Sequence, residues 1–423
     1  MLNKLKNKMF QQPKSVDVFA KSFVLYTISS MSLALSCRTI TLWMYDAGVS
    51  SAANMALSAL LHLPYSFRIA FVPWLEFIKI PLIKNWGYRK SLIIYMHLIS
   101  IACILGMAIM GMSNFKMLIL LGFICSIAST SAENLSTTYL NYSYNQDVRP
   151  NWVQGGQFGY HFASWVVGTL YIYLCQFISW PKLYIISALF LIVNLCIITR
   201  TNNCAFERIS QPSFTKAYIT PVKNLLNTHK NYFHLLIWFF IFFRAADRLL
   251  VTLLPLLLIE VFGKTGAAAL KTLALLCVFI GSFVWTFFKR DNVMQTLVSI
   301  SVVHMAHILV VACVLCFYYK GVYVNACLVI LSITIFSLKI IRISESCASY
   351  AFQYFLLDQK YFNAQSSAVT LTDRFMGDIL KSVSGVMYVF MGWPIFLATS
   401  ILFVIPSWFI AIKLSKYFTG KKM

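Results

Sequence analysis

The sequence predicts an all-α membrane protein with about twelve transmembrane helices in two six-helix halves. Three observations carry this. Of 423 residues, 59% are hydrophobic and only 11% are charged, against about 25% charged in an ordinary soluble domain. Apolar runs long enough to cross the hydrocarbon core as helices, about 20 residues each, recur along nearly the whole chain. One long polar stretch, Arg200–Lys230, divides those runs into two sets of about six. Helices follow from the solvent, because a backbone amide in lipid must be satisfied within its own segment.

In order, residues 1–20 form a basic tail with Lys4, Lys6, Lys8 and Lys14. The charged region is too long for a cleavable signal, and the run behind it is itself of span length. The N-terminal half covers 21–200. Its first span runs from about Ser22 to Met44, and Asp46–Ser50 is a short turn. The second is Ala53 to Phe77, before a basic loop with Lys79, Lys84, Arg89 and Lys90. The third is Leu92 to Met112 and the fourth Met117 to Tyr139. Gln146–Gly156 is a polar connection to the fifth, Phe158 to Ile178; Trp180-Pro181 opens the sixth, which ends near Thr199.

Residues 201–231 are the middle loop, and 232–415 the C-terminal half. The seventh span is Tyr232 to Ile259, the eighth Ala267 to Phe287 and the ninth Met294 to Phe317. Val322–Leu357 is too long for one ordinary span; it must tilt, break near Lys339–Arg342, or run past the membrane surface. The eleventh is Ala364 to Phe390 and the twelfth Trp393 to Leu414, followed by a basic tail at 416–423.

The net charge is +22. In this context it reads as the positive-inside bias rather than as a nucleic-acid surface. The even-numbered connections carry Lys79, Lys84, Arg89, Lys90, Arg149, Lys289 and Arg290, whereas the odd ones carry mainly Lys116, Lys182, Lys264 and Lys320. Both termini and the middle loop are therefore expected in the cytoplasm. Six plus six spans around a long cytoplasmic loop is the plan of the major facilitator superfamily, whose halves rock around a central cavity.

Several chemistries fail. Gly263-Lys264-Thr265 resembles the end of a phosphate loop, but Leu258 stands where the first glycine is required. The eleven cysteines are scattered through apolar runs without a paired framework. His304 and His307 share a helical face, but two ligands do not make a metal site, and they read as polar core or interfacial histidines. No enzyme, metal or cofactor is expected.

Charges inside spans are more informative, since each costs about 2.5–3.5 kcal/mol at a helix centre unless it finds a partner or a cavity. Arg38 lies deep in the first span and His161 in the fifth. Glu133 lies in the polar run Ser129–Tyr139, which reads as one wall of an aqueous cavity where an acid can take a proton. Arg244 and Asp247 are three apart in the seventh span and can pair; a structural lock and a functional pair are both open. Asp373, Arg374, Asp378 and Lys381 punctuate the eleventh. His161 is either a hydrogen-bonded core histidine or a proton-linked one. Glu76, at a membrane edge, fits a topological or gating ion pair better than a substrate ligand.

Leu63-Pro64-Tyr65-Ser66-Phe67-Arg68 with Pro73-Trp74-Leu75-Glu76 resembles the second span of the AmpG-type muropeptide permeases. In that family a lysine usually stands at the position of Arg68 and an aspartate at that of Glu76. Leu33-Ala34-Leu35, Leu42-Trp43 and Ala47–Ser50 resemble the family's opening. Ala128-Ser129 with Glu133 matches its fourth span, where Glu133 and Thr137 fall on two aspartates; Gly159-Tyr160-His161 matches the fifth, where arginine is usual at the third position. Phe243-Arg244-Ala245-Ala246-Asp247 matches an aromatic-basic-x-Gly-Asp pattern, and Gln365, Ser384-Gly385 and Gly392-Trp393 resemble the last spans. Arg38 replaces a small residue.

The resemblance implies a bacterial inner-membrane permease, multi-pass, that imports anhydro-muropeptides with protons during peptidoglycan recycling. Glu133 and Asp247 are the expected proton-coupling residues. Arg38, Arg244, Tyr139 and His161 are expected at the substrate, with Tyr139 and Tyr160 able to stack on sugar rings. Arg68, Glu76, Arg89 and Lys90 are expected to gate or to fix topology. The partners are a muropeptide-like solute, protons and membrane lipid, with no nucleic acid; a monomer is expected, and the sequence leaves the oligomeric state open. The other readings are a carrier for acetyl-CoA or another bulky anion, and a non-transporting membrane sensor or scaffold.

Overall fold

The computed structural model describes residues 15–49, 51–76, 78, 87–144, 148–200, 215–284 and 293–418. The expectations at Lys79, Lys84, Lys289, Arg290 and the outermost tail lysines lie outside the described residues. Among the described residues a helix stands at each of the twelve expected positions, and there is no strand. The chain divides into two compact units: Met1–Tyr65 with Lys79–Arg208, and Ser66–Ile78 with Ile209–Met423.

In the first unit, α1 runs Ser15–Ala34, passes a π turn at Leu35–Thr39 and continues through Ile40–Asp46. Then come α2 (Ser51–Ser66), α3 (Tyr88–Met110) and α4 (Phe115–Ser143). Asn114 caps α4 by accepting from the Met117 amide at 3.2 Å. α5 (Arg149–Trp165) continues through a second π turn, Val166–Leu170, to Tyr171–Leu174. α6 (Trp180–Thr199) opens with Pro181 in its first turn, where the missing amide costs nothing.

α1 and α5 pack backbone to backbone. A Cβ at Gly155 would lie 2.3 Å from the Phe19 carbonyl oxygen, and one at Gly159 would lie 2.5 Å from that of Phe23. Ser22 Oγ donates to the Trp152 carbonyl at 2.5 Å. Lipid gives helices no hydrophobic reason to associate, so close contact through small residues supplies the dispersion that does. The same packing corrects the expected connection at Gln146–Gly156. From Arg149 onward it is helix, because the glycines that make it look like a loop form the face buried against α1.

In the second unit a π turn at Thr215–Ile219 leads into α7 (Thr220–Thr228). The described part of the expected middle loop is thus helical. α8 (Phe233–Phe243) stops at Arg244, and α9 (Ala245–Val284) restarts at once. α10 is Val293–Tyr319, α11 Val324–Phe355, α12 Phe362–Leu402 and α13 Ile405–Ser415. α9 and α12 each hold two expected spans, joined at corners where Gly263 and Gly392 take φ of 68° and 65°. Side chains resist that region, so glycine carries both corners. Gly263-Lys264-Thr265 is therefore a corner. α11 is one unbroken helix of 32 residues, about 48 Å long; of the three alternatives for this segment the break near Lys339–Arg342 is absent, and the helix outruns a hydrocarbon core of about 30 Å. The unit's apolar core gathers Leu249, Leu257, Ile308, Leu315, Leu331 and Phe396.

The second expected span is shorter than its apolar run. α2 ends at Ser66, and 3₁₀ turns at Arg68–Ala70 and Val72–Glu76 follow. Pro73 cannot donate to a helical ladder, and Ser66–Ile78 finds its partners within the second unit.

Among the described residues six helical stretches are long and apolar enough to span a membrane, including Val16–Asp46, Trp180–Thr199 and Met294–Tyr319. Ile109, Val193, Ile333, Phe390 and Phe409 are among the large apolar side chains standing outward. Lipid is the solvent that satisfies them.

Candidate functional site

Within the first unit the polar side chains gather on α1, α4 and α5. Arg38 sits in the π turn of α1 and is exposed, while Leu35, Ser36, Cys37 and Thr39 around it are buried. The wider turn rotates one residue out of the packing face, a device common at functional sites. Thr39 Oγ1 donates to the Val167 carbonyl at 3.1 Å, so the two π turns meet. Arg38 Nη2 donates to the Tyr160 hydroxyl at 3.3 Å, and Tyr160 meets the His161 ring edge-on at 5.2 Å between centroids. Three residues expected near the substrate, Arg38, Tyr160 and His161, are thus brought together. Tyr139 is not presented in the same way: its ring is buried at 4% exposure.

The run Ser129–Tyr139 is not an open cavity wall. All of it is buried, and Glu133, at 9%, is its most exposed member. Four of its hydroxyls turn back on their own helix: Ser129 on Cys125 O at 2.6 Å, Ser131 on Ile127 O at 2.8 Å, Thr137 on Glu133 O at 2.9 Å, Thr138 on Asn134 O at 2.8 Å. Those bonds satisfy these four without water, whereas Thr130 Oγ1 and Ser136 Oγ are buried without a hydrogen-bond partner among the described residues. Glu133 Oε1 accepts from the Tyr65 hydroxyl at 3.3 Å, and Tyr26 and Thr137 share a hydrogen bond of 2.5 Å.

The expected gating residues are also packed in. Arg89 lies over the Tyr142 ring at 3.9 Å, and Lys90 Nζ donates to the Thr199 carbonyl at 2.8 Å. They belong to the first turn of α3 rather than to a solvated loop, and Lys90 meets the electronegative end of α6. In the second unit Arg68 is 5% exposed and donates to the Thr370 hydroxyl. The Ala70 carbonyl accepts from the Tyr218 hydroxyl at 2.5 Å, and the Val72 carbonyl from Asn363 Nδ2 at 3.4 Å. Burial pushes the Tyr218 hydroxyl above its ordinary pKa, so it remains a donor. The side chains of Glu76, Asp373, Arg374 and Asp378 lie outside the described residues.

The second unit holds a buried ionic network. Where α8 stops at Arg244, Asp247 falls in the first turn of α9, at the electropositive end of a helix. Its Oδ2 accepts from Arg244 Nη2 at 2.7 Å, and its Oδ1 is paired with Arg342 Nε on α11. One turn further along α11, Glu345 Oε2 accepts from His304 Nδ1 on α10 at 2.5 Å. His304 and Glu345 are 1% and 0% exposed, and Glu345 Oε1 is buried without a hydrogen-bond partner among the described residues. His304 and Arg248 both lie within electrostatic reach of Asp247. Three guanidiniums thus stand against two carboxylates and one imidazole.

Reading the sequence found Arg244 and Asp247, because three-residue spacing announces a pair. It left His304 as a core histidine and missed Glu345 and Arg342. Their signal was an acid and a base three apart within a long apolar segment; their partners lie on other helices.

This architecture can be matched. A variant of the E. coli fucose:proton symporter FucP, and the major facilitator superfamily transporter FucP in its outward conformation, superpose with TM-scores of 0.66 and 0.65 at 16% and 14% identity, each covering 95% of this chain and 99% of its own. A bacterial homologue of the iron transporter ferroportin gives 0.61 at 13% identity, covering 96% of this chain and 100% of its own. The chain has the major facilitator fold. No family model matches the sequence. Proteins named "Putative transporter AmpG 4" in Rickettsia felis and Rickettsia conorii are 22% and 23% identical over 97% and 96% of this chain and 98% of their own length. One named AmpG 1 in Rickettsia bellii is 24% identical over 92% of this chain and 95% of its own. The chain is a multi-pass membrane transporter, not an enzyme, and is similar over nearly its whole length to proteins named putative AmpG transporters.

Proposed function

We propose that this transporter is a proton-coupled importer of anionic, muropeptide-like solutes across a bacterial inner membrane, with both termini cytoplasmic. The buried network of the second unit carries this reading. Ionisable groups are kept inside a span only at a cost, and they mark proton and solute paths. His304–Glu345 is the proton-accepting element: a base and an acid joined by one hydrogen bond, with a free carboxylate oxygen beside it. Asp247, held by two guanidiniums, transmits the change of charge to Arg244. Glu133 is the corresponding acid of the first unit. Arg38, exposed beside Tyr160 and His161, recognises a carboxylate of the solute by charge-assisted hydrogen bonds while the tyrosine ring meets a sugar face.

The test is uptake of labelled anhydro-muropeptide into right-side-out vesicles, with and without an uncoupler. Uncoupler-sensitive accumulation is expected. In Glu345→Gln, accumulation falls at least about tenfold while exchange of solute across the membrane persists, since the proton site is lost and the solute site is not. Accumulation by Glu345→Gln at the native level would overturn the proton assignment. No uptake by the native protein, where an AmpG-type permease takes the solute up, would overturn the solute. Acetyl-CoA, another bulky anion, is then the next substrate to assay.

A further inference from the structure

A second cluster lies at the ends of three helices of the second unit, away from the ionic network. Glu260 stands three residues before the Gly263 corner of α9. Tyr319 ends α10, and Tyr388 and Trp393 flank the Gly392 corner of α12. The carboxylate accepts three hydrogen bonds: Oε1 from the Tyr319 hydroxyl at 2.6 Å, and Oε2 from Trp393 Nε1 at 2.7 Å and the Tyr388 hydroxyl at 3.2 Å. The Tyr388 and Trp393 rings lie 4.4 Å apart between centroids. Together with Val389 and Pro394 these side chains line a cavity of about 450 Å³.

The partners of Glu260 are unusual for this chain. Lysine and arginine number 35 against 13 acids, so a cation for a structural ion pair is easily supplied. The partners that hold Glu260 are instead three aromatic donors. Three donors favour the ionised carboxylate. The side chain is exposed, so this charge faces the cavity rather than a packed core. Aromatic faces around a negative floor attract an organic cation through the ring quadrupoles and the carboxylate together. The volume falls within the usual range for small-ligand pockets, about 300–1,000 Å³.

We infer that this cavity is a binding site for an alkylammonium group, with Glu260 as counter-charge and Tyr319, Tyr388 and Trp393 as its aromatic wall. The ammonium can come from a free solute or from a zwitterionic lipid headgroup, since the cluster sits where helices end. The site stands apart from the solute and proton assignments above and does not depend on them.

The experiment is equilibrium binding of labelled choline to the full-length protein in nanodiscs of phosphatidylglycerol. Saturable choline binding is expected, with its uncharged tert-butyl analogue at least about tenfold weaker, because only the cation gains from the carboxylate and the ring faces. Glu260→Gln is expected to remove the preference, and Trp393→Phe, which keeps a ring and loses the donor, to weaken it. Choline binding that survives in discs containing phosphatidylcholine assigns the site to a free solute; loss by competition assigns it to the headgroup. No saturable binding, or an analogue that binds as well as choline, would overturn the site. If Glu260→Gln fails to fold, the comparison of the two ligands on the native chain still decides.

Discussion

At the scale of single residues, Asp247 shows why a buried pair is fragile. It is 3% exposed and faces Arg244 and Arg342, whose side chains are themselves largely covered. Removing one partner of a buried ion pair costs about 3–5 kcal/mol, because the remaining charge stays buried. Asp247→Asn is therefore expected to lower the melting temperature of the detergent-purified protein markedly. Adding Arg342→Gln should restore part of the loss, since it removes one stranded cation. A double variant no more stable than Asp247→Asn would show that the two residues are not coupled. The neighbouring pair was less legible. His304 has a helical neighbour in His307, which suggests a face shared by two histidines, but His307 bonds its own Val303 carbonyl at 2.8 Å. The partner that gives His304 its chemistry is 41 residues away, on another helix.

At the scale of elements, hydropathy located the helices, and backbone geometry decided their details. The two π turns, at Leu35–Thr39 and Val166–Leu170, lie inside apolar runs that read as plain helix. They matter because one of them turns Arg38 outward. The α1–α5 contact depends on Gly155 and Gly159, where the neighbouring carbonyl oxygens leave no room for a Cβ. Gly159→Val is expected to cost about 1–3 kcal/mol through overpacking, read as an earlier thermal transition and lower yield of folded protein. Gly168, with open space where a Cβ would stand, is the control, and Gly168→Ala should leave the transition unchanged. Equal effects at the two sites would remove the close-approach account.

At the scale of the whole molecule, charge distribution predicts orientation. The excess of lysine and arginine in the even-numbered connections predicts that those loops, and both termini, face the cytoplasm. A reporter active only in the cytoplasm is expected to work when fused after Met423 and to fail when inserted at the Gly321 turn between α10 and α11. The reverse pattern would invert the topology, and with it the side of the membrane on which the Glu260 cluster opens. The fold itself was legible from patterning, since twelve apolar runs and one polar interval admit few other helical plans. The resemblance read from the second-span patch matches relatives aligned over nearly the whole chain.

What the sequence determined by itself is what lipid demands of any chain: helices, their approximate number and their approximate ends. These follow from local composition, because the cost of an unsatisfied amide or a charge in hydrocarbon is paid where it lies along the chain. Tertiary structure decided the rest. It ended α2 at Ser66 and gave the following turns to the second unit. It kept α11 continuous through Arg342, whose charge is met by Asp247 rather than by a break in the helix. It buried the polar run around Glu133, and it joined His304 to Glu345 and Glu260 to its three aromatic donors. Each of these depends on which helix stands beside which, and a one-dimensional pattern of hydropathy does not encode that.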